Sequence, residues 1–76
     1  MDRPAISFTA VYLKSAYGYV GFVEELPSIN SGGHTIEETR ANLRRAAQTI
    51  FDLERTQARE LLEGKDVVRE GFTISA

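Results

Sequence analysis

The sequence predicts an α+β domain of order β-β-β-α-β, a small, mostly antiparallel sheet with one long helix packed across one face. Three observations lead there. Residues 5–15 and 17–24 carry β-branched and aromatic side chains with the alternation of strands. From Ile36 onward, Ile36, Leu43, Ala47 and Ile50 fall in a narrow stripe at the helical period, flanked by Ala46 and Leu53. Residues 67–75 return to a strand-like pattern in which Val68, Phe72 and Ile74 share one side.

In the first strand, Ile6, Phe8, Ala10 and Tyr12 form the expected core face, opposite Ser7, Thr9, Val11 and Leu13. Lys14 to Gly18 has the length of a hairpin connection. The second strand is ambiguous in register, because Val20 and Phe22 face one way and Tyr19, Gly21 and Val23 the other. Apolar residues on both faces suggest that the side away from the helix meets another chain, and Val11, Leu13, Tyr19 and Val23 are the candidates there. Pro27 lacks an amide donor and marks the end of regular pairing or an edge position. Ser28 to Ser31 allows a short third strand before the turn signal at Gly32-Gly33.

Thr35 and Glu38 have the spacing of a capping box at the helix start. A helix running to Leu62 before the Gly64 stop has about 28 residues and a length of ~42 Å, whereas strands of about eight residues cover only ~26 Å. The helix is therefore expected to continue through Arg55 and overhang the sheet, with Leu61 and Leu62 available for self-association. Its arginines interleave with Glu37, Glu38, Asp52, Glu54, Glu60 and Glu63, the pattern of a solvated face rather than an RNA-binding strip.

The chain of 76 residues is expected to form one domain over 1–76, near the size at which a single core barely suffices, so homodimers or higher oligomers are expected. A net charge of −2 points away from direct nucleic-acid binding and toward a basic partner. There is no cysteine, and no stretch has the length and apolarity of a membrane span or secretion signal, so a cytoplasmic, membrane-free protein is expected. The single histidine, His34, has no organised carboxylates around it, and neither Gly32-Gly33 nor the glutamate pairs at 24–25 and 37–38 form a recognisable phosphate or cation motif. No catalytic residue, metal site or cofactor is expected.

The run Tyr19-Val20-Gly21-Phe22-Val23-Glu24-Glu25-Leu26-Pro27, followed by Asn30, Gly33, Thr35-Ile36-Glu37-Glu38, Asn42-Leu43, Ala46 and the closing Gly64 to Glu70, resembles the HicB family of bacterial antitoxins. The resemblance spans almost the whole chain. It implies a truncated ribonuclease H-like fold whose last strand returns parallel to the first, and a function in binding and neutralising HicA toxins, small basic proteins that cleave mRNA. Ser28, His34 and Thr39 depart from the usual family residues, and the resemblance is to a short form, expected to lack the DNA-binding domain that many members carry. Asp2, Asp52 and Asp66 fall in a tail, a helix and a loop, so the two-metal arrangement of a nuclease is not expected. Glu24, Glu25, Leu26 and Pro27, with Asn30 and His34, are the expected partner-binding residues. The alternative is an oligomeric regulatory or structural module with no toxin partner.

Overall fold

The computed structural model describes residues 7–74. Strands β1 (Ala10–Ser15), β2 (Gly18–Val23) and β3 (Leu26–Gly33) form one antiparallel sheet in sequence order, and helix α1 (Ile36–Leu62) follows. This is a small α+β fold. The strand expected over 67–75 is not formed within the described residues, where 66–74 have no regular structure. After Gly64 the segment places Arg69 beside Thr56, Arg59 and Glu60 on the last turns of the helix. No helix among the described residues is long and apolar enough to cross a membrane.

Cross-strand pairing resolves the register of β2. Ala10, Tyr12 and Lys14 pair with Val23, Gly21 and Tyr19, while Val11 and Leu13 pair with Phe22 and Val20. Directly opposed residues share a face. Phe8, Ala10, Tyr12 and Val23 line a cleft with Arg40 and Leu43, so their side of the sheet is the one the helix covers. The expected core face of the first strand is correct for Phe8, Ala10 and Tyr12, and Ile6 lies outside the described residues. Tyr19 and Val23, however, do not belong to the uncovered face. Val23 instead joins Ile29 and Leu43 in the buried core, against which Ala46, Ala47 and Phe51 pack.

The third strand is longer than Ser28 to Ser31 and contains a large irregularity. Phe22 pairs with Asn30 but Val23 pairs with Leu26, leaving Pro27, Ser28 and Ile29 without partners on β2. The turn Glu24-Glu25 explains the slip. Two-residue hairpins favour positive φ, which matches the twist of the strands, and no described residue other than glycine, hence neither Glu24 nor Glu25, has positive φ. The bulge takes up the mismatch and turns Ile29 inward. Pro27 costs no ladder bond at this place on an edge strand.

The helix starts as its sequence requires. Thr35 Oγ1 accepts from the Glu38 amide at 3.0 Å, and Glu37 and Glu38 place negative charge in the first turn. Thr39, one turn on, is fully buried, and its hydroxyl donates to the Thr35 carbonyl at 2.7 Å. This close seating depends on absent side chains below. A Cβ on Gly33 would lie 2.8 Å from the Thr39 amide nitrogen, and one on Gly21 would lie 2.9 Å from the Thr39 methyl. Asn42 adds a tie by donating to the Gly32 carbonyl at 2.8 Å. The helix runs unbroken through Arg55, where the surface pair with Asp52 spans 3.7 Å, and stops at Gly64 with φ +70°.

Gly33→Ala is expected to destabilise the fold by about 1–3 kcal/mol, because backbone rather than a flexible side chain blocks the new methyl group. Gly71→Ala, which has open space around it, should change stability by no more than ~0.5 kcal/mol. Urea unfolding of the two variants checks the contrast.

Candidate functional site

The residues expected to bind a partner separate into two places on the structure. Glu24 and Glu25 form the turn between β2 and β3, and Leu26 and Pro27 open β3, all four exposed. His34 follows the other end of β3, beside the helix start. Eight strand residues lie between these ends, a span of roughly 26 Å if fully extended. His34 Nδ1 is 3.1 Å from the Tyr17 carbonyl oxygen, which can only accept, so Nδ1 carries the proton. The histidine thereby ties the β1–β2 turn to the helix start. It is not part of the acidic turn.

The acidic turn is held by a contact that the sequence did not announce. The Thr9 amide donates to Glu25 Oε1 and the Thr9 hydroxyl to Oε2, each at 2.8 Å, while the Glu24 amide donates to the Thr9 carbonyl at 2.8 Å. The carboxylate thus takes the place of a ladder partner for Thr9, just before β1 begins. The Thr9 amide first, then its hydroxyl and the Glu25 amide, hold the Glu25 carboxyl below its ordinary value of 4.5, outweighing the opposing effect of desolvation. Asn30 also has local work: its Nδ2 lies 3.3 Å from the Pro27 carbonyl and 3.1 Å from that of Ser28, bridging the bulge. Glu24, Leu26 and Pro27 stand exposed on a hairpin end braced from both sides.

The second candidate surface is the uncovered side of the sheet. Val11 and Leu13 stand there as expected, joined by Val20 and Phe22 in place of Tyr19 and Val23. Leu13 is 55% exposed and Val20 42%. The even spacing of Val20 and Phe22 was visible in the sequence, but only the pairing with β1 decides which alternate set turns outward. Leu61 and Leu62 lie on the last turn of the helix, Leu61 strongly exposed and Leu62 partly so.

A cleft of about 470 Å³ lies at the end of the helix between Thr56, Arg59, Glu60 and Leu62 and the following Arg69, and two more lie between helix and sheet. One, of about 460 Å³, runs along β3 over Ile29, Ala46 and Ile50, with Asn42 and Arg45 at its rim. The other, of about 450 Å³, lies along β1 over Val23 and Leu43, with Phe8 and Tyr12 on one wall and Arg40 and Arg44 on the other. Arg40 stands over the Tyr12 ring at 5.8 Å from its centre. No group of three or more histidine, aspartate or glutamate side chains is placed to hold a metal ion among the described residues. No family model, curated protein or solved structure matches the chain.

Glu25 gives a pH signature. Its folded-state pKa is depressed, so its contribution to stability is present above the unfolded value near 4.5 and is lost as pH falls through the lower folded value. Wild type should therefore exceed Glu25→Gln in thermal stability at neutral pH, with the difference shrinking as the solution is acidified below 4.5. Parallel melting curves across that range check it. A difference independent of pH would show that the carboxylate charge has no part in the Thr9 contact.

Proposed function

We propose that this chain is a non-enzymatic, antitoxin-like module that binds and neutralises a small basic HicA-type mRNA-cleaving toxin by covering its active site. The observation that carries this reading is the braced acidic turn. Glu25 and Thr9 fix the hairpin end, so Glu24, Leu26 and Pro27 are presented with little left to order on binding. The likeness of Tyr19 to Glu38 and of the closing segment to the HicB pattern supports the same function. A negative net charge favours encounter with a basic partner and opposes that partner's hold on RNA.

A second reading, an oligomeric regulatory or structural module without a toxin, is favoured by a different observation. Among the described residues, only Val23, Ile29 and Leu43 form the buried apolar core, while long apolar side chains stand exposed on sheet and helix. That imbalance calls for self-association and is indifferent to any toxin.

Co-expression with the small basic protein of the neighbouring reading frame separates the two. The first reading expects growth inhibition to be relieved and a complex to be recovered, with Glu24→Lys weakening the complex about tenfold, mostly through slower association at low salt. Capture of no basic ribonuclease from the protein's own cells, together with retained oligomers, would leave the second reading standing. Glu24 suits this test because its side chain, unlike that of Glu25, does not brace the turn.

A further inference from the structure

The shape of the chain is the starting point. Its radius of gyration is 16.2 Å and its extents are 52 × 26 × 25 Å, against a radius of about 11 Å for a compact domain of this length. Its accessible surface is 6860 Å², about 2,200 Å² more than a folded monomer of this mass exposes. The eight residues outside the described range account for at most ~1,300 Å² of that, even at full extension. The remainder is of the size that stable interfaces bury per partner, ~800 Å² or more.

The exposed surface is concentrated after Phe51. Phe51 stacks on Phe8 with ring centres 5.6 Å apart, and from Asp52 to Leu62 every helix residue is exposed. Beyond the turn at Gly64, Val68, Phe72 and Ile74 are 98%, 83% and 79% exposed. These residues keep the alternation of a strand, with Glu70 on the same side between Val68 and Phe72.

Meanwhile β1 is an open edge of the sheet, and the cleft beside it has an apolar floor and a rim of Arg40 and Arg44. Segment and cleft match in form and charge: an extended strand for an unpaired edge, apolar side chains for the floor, and Glu70 for the arginines. Distance decides which copy joins them. The eleven helix residues after Phe51 advance ~16 Å past the Phe8 contact. After the turn at Gly64, Arg69 lies beside Thr56, Arg59 and Glu60 on these overhanging turns, and none of residues 66–74 pairs with its own β1 edge.

We propose that residues 67–74 of one chain add as a strand along β1 of a second copy and fill its cleft, the exchange being mutual in a two-fold dimer. The overhanging helix carries the segment across the gap, and Leu53, Leu61 and Leu62 are covered as the two copies close. A symmetric exchange satisfies both open β1 edges at once and forms a closed pair instead of a filament. This surface is distinct from Val11, Leu13, Val20 and Phe22 on the opposite face of the sheet, so the two modes of association are separable.

The test uses the whole chain in three forms: wild type, Phe72→Asp and Val20→Glu. Both substituted side chains are exposed in the single chain, so neither change disturbs its core. Sedimentation equilibrium should give a dimer for wild type and for Val20→Glu, and at least 100-fold weaker dimerisation for Phe72→Asp. Hydrogen exchange should show the amides of 67–74 protected in proportion to the dimer fraction. A dimer that survives Phe72→Asp but is lost with Val20→Glu would overturn the exchange in favour of sheet-face contact. A wild-type monomer at all concentrations, or protection of 67–74 independent of concentration, would overturn it as well.

Discussion

The seating of Thr39 on Gly21 and Gly33 sets the position of everything else. A helix normally lies on a sheet with side chains between the backbones, and here the first turns come so close that no Cβ fits beneath them. Thr39 suits the place because its methyl covers Gly21 while its hydroxyl is returned to the helix at the Thr35 carbonyl, leaving no polar atom unmet. With the helix pinned there, Leu43 one turn later reaches Val23 and Ile29, and Phe51 two turns after that reaches Phe8. Nothing of the sheet remains beneath the turns that follow. The overhang is thus a consequence of where the close contact lies, at the very start of a 27-residue helix.

The opposite end of the hairpin is organised by backbone needs. A two-residue turn of ordinary hand splays its strands, and three unpaired residues on β3 absorb the error. Such a bulge leaves carbonyl groups to satisfy, and Asn30 donates to two of them. Glu25 serves Thr9 in the same way. Polar residues that look available for binding are therefore occupied in holding the turn, which keeps Glu24, Leu26 and Pro27 in one arrangement.

The helix, its cap and its length were legible because they rest on local rules: a threonine before an amphipathic stripe, and a glycine stop. The faces of the sheet were less so. Val20 and Phe22 alternate with Tyr19 and Val23 so evenly that only pairing with β1 separates core from surface, and that pairing is a long-range fact. The bulge at Pro27 to Ile29 carried only the proline as a sign, and the Thr9–Glu25 contact, sixteen residues apart, carried none. The strand expected over 67–75 is not formed among the described residues, because an alternating pattern does not contain its partner. Extended residues become a strand only where they lie along an edge, and this segment sets Arg69 beside the last turns of the helix instead.

The two proposed contacts are not independent in space. The helix starts beside the β1–β2 turn and passes Phe8, next to Thr9 and the Glu24-Glu25 turn, as it leaves the sheet. The acidic turn and the overhang therefore emerge at the same end of the molecule. A basic protein docked on Glu24, Leu26 and Pro27 would also face the arginines and glutamates of residues 52–62, or the second copy that covers them. On the proposed readings, partner binding and strand exchange are linked. Whatever factor by which dimerisation changes affinity for the partner, the partner must return to dimerisation. On those two proposals the assembly state becomes part of the recognition surface, with the overhanging helix as the physical connection between them.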